Sequence, residues 1–325
     1  MPRATVVIPN WNGLAHLPEC IGALRAQTFA DFEVVVVDNG SADGSVPWLR
    51  DNAPEVRVVE RPDNGGFAAA VNAGIRAAAP GTEYVALLNN DTAVDPRWLE
   101  ELVSALDRTG YDTAASLMVF YDAPEIVNAA GDDYWVGGFV GRNRGLRQPV
   151  KEFQEIVRVL GACAGAALYR ARLFDEIGLF DEDFFLIHED TDFNLRALIA
   201  GKRCLYVPSA VVRHKHSATI SAQPAWPMLR YEVRNRAIVL AKDVPASILP
   251  LAAVTWAWRL LRSTFPLRRS KWHLIPSLLG TSGKRVAAEI EGFRIGWRKR
   301  GDVWRLQAIP AREVVRWLFR GVGPV

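Results

Sequence analysis

The sequence predicts an α/β fold: a doubly wound, Rossmann-like mixed sheet flanked by helices and followed by a C-terminal helical extension. The first hundred residues alternate short apolar runs with helical patterns, which is the order of elements that builds such a sheet. The runs 34–37 and 85–88 are apolar throughout, as strands covered by helices on both faces must be. Half of the 325 residues are hydrophobic and 23% are charged, which excludes a disordered or collagen-like chain.

These patterns assign the elements in order. Strands are predicted at TVVIP, FEVVVVD, VRVVERP and YVALLNND, and helices over 17–26, near Trp48 and over 67–79. The pattern is less regular over 111–147, where DDYWVGGFVGR predicts a hairpin. A helix in DTDFNLRALIAG follows, and then a late strand in RCLYVPSAVVRHKHS that leads into a histidine-bearing loop. Helical segments with Arg and Lys stripes make up the rest of the chain.

The net charge changes sign after Ala225. The first 225 residues carry 20 Lys and Arg against 30 Asp and Glu, and the last hundred carry 19 against 6, so the two parts hold −10 and +13. Seven of the eleven tryptophans also follow the cut. Trp with Lys and Arg favours a membrane interface, and no nucleic-acid-binding motif accompanies the tail. We therefore expect a domain over 1–225 and a basic, Trp-rich helical extension over 226–325 that meets a membrane surface and not nucleic acid.

The cysteines and the first residues indicate the cellular compartment in which the protein is found. Cys20, Cys163 and Cys204 are an odd number and form no CxxC pair, so they predict neither a disulfide framework nor a thiolate zinc site. The first residues, MPRATVVIPNW, are typical of a first strand and not of a signal peptide. We therefore expect a cytoplasmic protein.

Polar residues follow each of the first four predicted strands. Ligands of open α/β sheets bind at the carboxyl ends of the strands, so these residues are candidates for binding. The polar strand ends are Pro9-Asn10-Trp11-Asn12, Asp38-Asn39-Gly40-Ser41, Asp63-Asn64-Gly65-Gly66 and Asn89-Asn90-Asp91. None of them matches the glycine fingerprint of dinucleotide-binding proteins or the phosphate loop of P-loop enzymes, which argues against both classes.

Two carboxylates at strand ends suit a nucleotide site. Asp91 comes after a buried strand, where it can ligate a divalent cation that neutralises phosphates, or it can cap its own turn. Asp38 can accept hydrogen bonds from a base or a ribose, and its alternative is also a tight turn.

A second acidic cluster lies in the segment HEDTDFNLR. Glu189 and Asp190 fall where a helix should start, so one of them can take a proton from an attacking hydroxyl, or both can simply complement the helix N-terminus. Arg196 can face a phosphate or pair with a neighbouring acid. His214 and His216 follow a strand, and together with Asp91 one of them would form a mixed carboxylate and imidazole site, which suits Mn²⁺ as well as Mg²⁺.

Seven ordered blocks carry a resemblance to a known family. They are VVIPNWNG, VVVDNGSADGS, NGGFAAAVNAG, LLNNDT, GACAGAALYRARLFDEIGLFDEDFF, HEDTDFNLR and VPSAVVRHKHSAT. In this order, over residues 3–240, they resemble the family 2 glycosyltransferases of the GT-A fold, and within these the bacterial rhamnosyltransferase-type enzymes. The resemblance implies that residues 1–110 bind a nucleotide-sugar donor and that residues 111–225 bind the acceptor.

The resemblance also implies roles for single residues. Asp190 would be the general base with Glu189 in support, and Asp91 with His214 would hold Mn²⁺ or Mg²⁺. Asn89 is neutral where the family motif often has an acid, so the resemblance implies weaker metal binding that depends on His214. The residues expected at the donor are Pro9, Asn10, Asn12, Asp38, Asn64, Gly65, Phe67, Asn72, Asn89, Asn90 and Arg196.

The function implied is inverting transfer of a sugar to a hydroxyl in cell-surface polysaccharide synthesis. The donor would be a dTDP- or UDP-sugar, with dTDP-L-rhamnose as the best guess, and the acceptor a glycan or a polyprenyl-linked glycan. Two alternatives remain: a sugar-1-phosphate nucleotidyltransferase, which would release pyrophosphate, and a non-catalytic nucleotide-sugar-binding scaffold. A nicotinamide oxidoreductase would need the missing glycine fingerprint.

The tail carries a further expectation. Residues 244–258 are uncharged, but they are fewer than the roughly 20 needed to span a bilayer, and two prolines interrupt their start. The tail should therefore lie on the cytoplasmic face of the inner membrane, and removing residues after Ala241 should release the protein from anionic vesicles without loss of donor binding. The alternative is that the tail packs on the domain over 1–225 or on a second subunit in a homodimer. The residues expected at the lipid are Trp256, Trp258, Arg262, Arg268, Arg269 and Lys271.

Overall fold

The computed structural model describes residues 1–137, 139–215, 225–255 and 275–325. The strands are β1 Ala4–Asn10, β2 Phe32–Asp38, β3 Arg57–Glu60, β4 Tyr84–Leu88, β5 Thr92–Val94, β6 Thr113–Phe120, β7 Ala123–Ala130, β8 Asp132–Trp135, β9 Val140–Asn143, β10 Val157–Val159, β11 Ala166–Arg170, β12 Cys204–His214 and β13 Val322–Gly323. The helices are α1 Leu17–Arg25, α2 Ser45–Asn52, α3 Gly66–Ala77, α4 Trp98–Thr109, α5 Arg172–Ile177, α6 Glu189–Ile199, α7 Ala225–Lys242, α8 Ile275–Arg305 and α9 Ala311–Arg320.

One mixed sheet runs through the described part of the chain, in the order β13-β10-β12-β6-β11-β4-β1-β2-β3. The first four long strands pair in parallel, as predicted, and the pairing sets Asn10 beside Asp38 at the ends of β1 and β2. Gly74 lets α3 lie directly on this half, because a Cβ there would come 2.2 Å from Val7. The mixed α/β fold is therefore confirmed, with the polar ends of β1, β2 and β4 at one edge.

The second half of the domain continues the same sheet. Strand β11 runs antiparallel between β4 and β6, and β12 pairs in parallel with β6. The hairpin predicted in DDYWVGGFVGR is confirmed, since β8 and β9 pair in antiparallel register from Asp132↔Asn143 to Trp135↔Val140. The donor and acceptor parts expected over 1–110 and 111–225 thus share one sheet and are not separate structural units.

The C-terminal extension is helical and is joined to the sheet. Helix α7 begins at Ala225 and packs along α8, and β13 at the very end pairs with the edge strand β10. Within the described ranges, no single helix is both long and apolar enough to cross a membrane. The segments Pro227–Lys242 and Ala246–Thr255 reach that length and apolarity only as a pair, with a 120° bend between them.

Some expectations fall on residues that the structure does not describe. His216 and the six tail residues expected at the lipid, Trp256, Trp258, Arg262, Arg268, Arg269 and Lys271, lie outside the described ranges.

Candidate active site

A cavity of about 440 Å³ opens at the carboxyl ends of β1, β2 and β4. The start of α3, the loop before α6 and the first turns of α7 close its sides. Its lining residues are Pro9, Asn10, Trp11, Asn39, Asn64, Gly66, Phe67, Asn89, Asn90, Asp91, Asn143, Phe185, Leu186, His214, Pro227, Met228 and Tyr231. Eight residues singled out from the sequence, from four separate segments, therefore meet in one cavity.

Amide side chains tie the strand ends together under this cavity. The Asn90 amide donates to Asn10 Oδ1 at 2.7 Å, and the Asn10 amide donates to Asp38 Oδ1 at 2.9 Å. Asp38 also accepts a hydrogen bond from the backbone N–H of Ser41, so its carboxylate is held in place below the cavity lining. Gly13 is required beside this network, since a Cβ there would come 2.0 Å from Asn90 Nδ2.

Asn39 is a cavity residue that the sequence placed among the polar strand ends but to which it gave no individual role. Its amide nitrogen donates to the Gly66 carbonyl at 2.9 Å, which connects the end of β2 to the start of α3. Its Oδ1 atom is buried and has no hydrogen-bond partner among the described residues. A buried acceptor in a cavity wall suits a donor group of a ligand, because an unsatisfied buried acceptor otherwise costs stability. Its position next to Asp38 at a strand end was the available signal.

The loop before α6 rests on the start of α3. Gly66 has φ +87°, and a Cβ there would come 2.2 Å from the Phe185 carbonyl, which also accepts the Phe67 N–H at 2.8 Å. Asn64 Oδ1 accepts the Gly66 N–H at 3.0 Å and so shapes the same turn. Asn64 and Phe67 thus reach the cavity as expected from the sequence.

Several expected donor residues do not line the cavity. Asn72 donates to the Phe180 carbonyl and to Glu182, and accepts the Phe180 N–H, so it fastens α3 to the 180–182 turn. Asn12 is exposed and accepts the Ala42 N–H at 2.8 Å. Gly65 lies against Arg61, with no place in the lining.

Arg196 is also corrected. Its guanidinium is buried, pairs with Asp192 at 2.9 Å and donates to the carbonyls of Ile177 and Leu179. These bonds use its donors within the protein, so it stabilises the α5–α6 connection and does not face a phosphate. Of the two uses that the sequence left open, the structure shows pairing with an acid.

Asp91 and His214 meet at the far side of the cavity. Strand β5 pairs with β12, and this places His214 Nε2 3.2 Å from Asp91 Oδ1. His214 Nδ1 lies 2.9 Å from Asn128 Oδ1, and Nε2 on the other side of the ring faces Asp91. Burial favours protonated Asp91, but the hydrogen bond and charge of His214 outweigh it and hold the pKa of Asp91 below its ordinary value.

This pair fits a divalent cation. A carboxylate oxygen and an imidazole nitrogen are ligands that Mn²⁺ accepts, and Mg²⁺ in phosphate sites often takes only one or two protein ligands and leaves the rest to phosphate and water. Asn128 has the position of an outer partner that orients a metal-binding histidine. The residues present therefore suit the metal expected from the sequence.

The other acidic pair lies at the start of α6. Ile187 and His188 both have left-handed backbone, with φ +74° and +71°, and the Asn235 amide of α7 donates to the Ile187 carbonyl at 2.8 Å. This braced turn leads directly into Glu189 and Asp190. Non-glycine residues in this region are strained and are found mainly where surrounding structure enforces them at functional sites.

The two carboxyl groups have different surroundings. Glu189 is buried, its Oε2 has no hydrogen-bond partner among the described residues, and burial with the charge of Asp190 raises its pKa to about 8. Asp190 accepts the backbone N–H groups of Thr191 and Ala164, which favour its charged form, although burial still raises its pKa. At neutral pH Glu189 is mostly protonated, and Asp190 is the better base.

Asp132 completes the surroundings of Asp190 and was missed in the sequence. Ligand atoms of Asp132, Cys163 and Asp190 lie within 4.8 Å of one another. Burial and the charge of Asp190 raise the pKa of Asp132 well above its usual range, because two neighbouring buried carboxyl groups resist being charged together. The predicted hairpin gave no sign that its first carboxyl group would be buried.

A short stretch of backbone connects Asp190 to the segment that carries Asp91. The Ala164 N–H donates to Asp190, and the next residue, Gly165, accepts the Asn89 N–H at 2.9 Å. Asn89 lies two residues before Asp91. Asp190 and Asp91 are therefore positioned by the same stretch of backbone.

Helix α7 supplies one wall of the cavity. Pro227, Met228 and Tyr231 line it, and the Tyr231 ring stacks on Phe185 with centroids 5.2 Å apart. The boundary expected at residue 225 thus cuts through the cavity. Every residue that lines the cavity precedes Ala241, so the expectation that removing residues after Ala241 spares donor binding stays a prediction. Helix α8, which that truncation removes, contacts α7 through ion pairs of Glu291.

Comparison with known proteins places these features in a family. The family described as Glycosyl transferase family 2 matches residues 5–178. An uncharacterized glycosyltransferase, EpsJ, of Bacillus subtilis (strain 168) is 29% identical over 212 residues, which are 62% of this chain and 58% of that protein. A PGL/p-HBAD biosynthesis glycosyltransferase of Mycobacterium tuberculosis (strain ATCC 25177 / H37Ra) is 26% identical over 223 residues, 68% of this chain and 76% of that protein. The chain spans only 25% and 30% of two other curated bacterial relatives.

Solved structures share the fold. The mannosyltransferase PcManGT of Pyrobaculum calidifontis, solved in complex with GDP-Man and Mn²⁺, has a TM-score of 0.53 at 16% identity, covering 97% of this chain and 79% of that one. Residues 1–349 of TarS of S. aureus in complex with UDP have a TM-score of 0.54 at 15% identity, covering 94% and 90%. The family match runs from β1 to the end of α5 and spans more than half of the chain. The chain therefore belongs to glycosyl transferase family 2 and has the GT-A fold.

Proposed function

We propose that this glycosyltransferase transfers a sugar, with inversion, from a nucleoside diphosphate to a hydroxyl of a glycan or lipid-linked glycan. One observation carries the proposal: the cavity at the strand ends has a carboxylate and imidazole pair, Asp91 and His214, joined by a short backbone path to the carboxyl group of Asp190. Transfer needs charge neutralisation at the leaving diphosphate and a base at the attacking hydroxyl, and these two groups suit those needs.

The proposed transfer moves one proton, forms one bond and breaks another. The acceptor hydroxyl gives its proton to Asp190, its oxygen bonds to the anomeric carbon, and the bond from that carbon to the diphosphate breaks on the opposite face. Fixing donor and acceptor in line lowers the barrier by removing orientational freedom, and preorganised groups stabilise the developing charge. Asp190 accepts the proton because two backbone N–H groups favour its charged form, while the pKa of Glu189 is raised to about 8.

Asp91 and His214 would hold Mn²⁺ or Mg²⁺ beside the diphosphate. When bound, the ion supplies positive charge that stabilises the leaving diphosphate. The related structure of PcManGT with GDP-Man and Mn²⁺ supports this proposal.

The donor is proposed to be a dTDP- or UDP-sugar, with dTDP-L-rhamnose as the specific proposal. The TarS complex with UDP supports a nucleotide at this site, and the motif blocks that resemble rhamnosyltransferase-type enzymes support rhamnose. Asp38, held by Asn10 and Ser41, would position the base from below the cavity. We also propose that the protein works peripherally at the cytoplasmic face of the inner membrane, in synthesis of surface glycans.

A panel of nucleotide sugars tests the function. Thermal shift with dTDP-, UDP- and GDP-sugars, with and without Mn²⁺, identifies the donor, because a ligand raises stability with its occupancy. Release of nucleoside diphosphate in the presence of an acceptor supports transfer. Release of pyrophosphate instead indicates a nucleotidyltransferase, and binding without any turnover across the acceptor panel indicates a scaffold; either result contradicts the proposal.

We expect Asp91→Ala and His214→Ala each to weaken Mn²⁺-supported binding of a nucleoside diphosphate, by about tenfold or more. Each variant leaves an incomplete set of ligands, and loss of even an outer partner of a metal site costs about 10- to 100-fold. Titration of the nucleotide at several Mn²⁺ concentrations measures the effect. Arg196→Lys is the control, since Arg196 lies away from the cavity. Unchanged Mn²⁺ dependence in both variants would contradict the shared site.

A further inference from the structure

Helix α8 has one face made for close contact with α7. Ala288, Gly292 and Gly296 are spaced four residues apart and are buried. A Cβ on Gly292 would come 2.0 Å from the Arg234 carbonyl, and one on Gly296 would come 2.3 Å from the Ile238 carbonyl. The backbones of the two helices are therefore in direct contact, and the rotation of α8 about its axis is determined.

Ion pairs fix the same orientation. Glu289 pairs with Arg236 at 2.8 Å, and Glu291 pairs with Arg230 and Arg234. The acidic side chains in this stretch of α8 are thus turned toward α7 and are neutralised there.

The opposite face of α8 is apolar and basic. We define the outer face of α8 as Ile290, Phe293, Arg294, Trp297 and Arg298, all of which are exposed. Ile290, Phe293 and Trp297 are 44%, 41% and 53% exposed, and the two rings stack with centroids 5.8 Å apart. Over 283–301, a stretch within the described residues, the exposed residues are apolar or basic. The one half-exposed acid of this stretch is Glu291, whose side chain is 41% exposed and pairs with Arg230 and Arg234.

A helix with clustered aromatic side chains among Arg and Lys is typical of a membrane interface. Its rings and aliphatic chains enter the boundary between headgroups and acyl chains, while the basic groups meet anionic headgroups. Trp is favoured at this depth because its ring is amphipathic. The outer face of α8 matches this pattern in both respects, and it belongs to the part of the chain with a net charge of +13.

We propose that the outer face of α8 lies on an anionic lipid membrane, and that the acceptor is a hydroxyl of a membrane-anchored glycan. The second part rests on the proposed function. It follows from the position of α7, which contacts α8 at Arg234 and Ile238 and lines the cavity with Met228 and Tyr231. Packed helices lie about 8–10 Å apart, so a single helix layer separates the cavity from the face on the membrane.

Vesicle co-sedimentation of the full-length protein tests the surface. The vesicles are phosphatidylcholine alone and phosphatidylcholine with phosphatidylglycerol, and the variants are Phe293→Ser/Trp297→Ser and Arg294→Glu/Arg298→Glu. We expect the parent protein to bind the anionic vesicles and each variant to bind at least tenfold more weakly. Trp135→Ser is the matched control, because Trp135 is equally exposed, at 50%, on the β8–β9 hairpin, and it should bind like the parent.

The outcomes separate the alternatives. Circular dichroism melting confirms that each variant is folded, which is expected because the changed side chains are exposed. The proposed lipid surface is overturned if the parent protein does not bind the vesicles, or if both double variants bind them as tightly as the parent does. A concentration-dependent dimer in the parent that both variants lose, without vesicle binding, overturns it in favour of a second copy of the chain.

The acceptor class has its own readout. With a lipid-anchored acceptor in the vesicles, we expect transfer by Phe293→Ser/Trp297→Ser to fall at least tenfold, while transfer to a soluble acceptor fragment stays unchanged. Equal losses on both acceptors overturn the inference about the acceptor. Vesicle binding is measured without donor or acceptor, so a failure of the proposed sugar transfer leaves the test of the surface intact.

Discussion

Asp190→Asn is expected to lower the turnover number by about 10²- to 10⁴-fold and to leave nucleotide-sugar binding nearly unchanged. Asparagine keeps the size of the side chain but cannot accept the proton of the acceptor hydroxyl, and general-base catalysis contributes about this factor. Single-turnover transfer measures the rate, and thermal shift with the donor measures binding. Near-normal turnover in the folded variant would exclude Asp190 as the base.

Glu189→Gln is the matched control. Burial and the charge of Asp190 raise the pKa of Glu189 to about 8, so glutamine resembles the protonated side chain present at neutral pH. We expect a small effect on turnover. If instead Glu189→Gln abolishes transfer and Asp190→Asn does not, the roles of the two carboxylates are reversed.

The pH dependence gives an independent check on Asp190. The base must be ionised, and burial raises the pKa of Asp190 above its ordinary value, which is about 3.9. Transfer should therefore fall as the pH drops through a value above the ordinary range. The residual activity of Asp190→Asn should lack this decrease.

Lys242→Met is expected to reduce the free energy of unfolding by about 3–5 kcal/mol. The Lys242 ammonium is buried and lies 2.6 Å from Asp181 and 2.5 Å from Asp192. Removing it takes one cation from two buried carboxylates, which keep Lys299 and Arg196 as partners, and so leaves buried negative charge in excess. Methionine keeps most of the volume, so the loss reports the charge. Urea denaturation measures it.

A second lysine on the same acid supplies the control. Lys299 also pairs with Asp181 at 2.6 Å, but its side chain is 38% exposed. Because exposed pairs contribute about 0–1 kcal/mol, Lys299→Met should cost much less than Lys242→Met. If the two variants lose the same free energy of unfolding, burial of Lys242 is not the reason for its larger expected effect.

The contribution of Lys242 to stability should decrease as the pH falls. Burial raises the pKa of Asp181, but Lys242 and Lys299 outweigh it and hold this pKa well below its usual range. A depressed pKa contributes stability that is complete above the unfolded value of about 3.9 and is lost as the pH falls toward the folded value. The difference between Lys242→Met and the parent should therefore be largest near neutral pH and shrink in acid.

The same network connects the extension to the base. Asp192 is in the first turn of α6, two residues after Asp190, and Lys242 is the last residue of α7. Partial loss of transfer in Lys242→Met, under conditions where the variant is folded, is the expected consequence.

The sequence by itself determined the fold class and most of the cavity floor. Short, uniformly apolar runs that alternate with helical patterns are typical of parallel strands buried on both faces, and polar residues directly after parallel strands lie at one edge of the sheet. Asn10, Asn64, Asn90 and Asp91 were found this way because local pattern and topology are enough to place them.

Tertiary structure decided the remaining roles, because they depend on contacts between residues distant in the chain. Asn72 and Arg196 have polar groups suited to a ligand, yet a neighbouring turn and Asp192 use their hydrogen bonds. Asp132 and Tyr231 have ordinary local patterns, and only packing buries one beside Asp190 and lays the other along the cavity. Hydrophobic periodicity shows which face of an element is buried, but not which distant side chains contact that face. Those contacts determine the pKa of a side chain, its hydrogen bonds and whether a ligand can reach it.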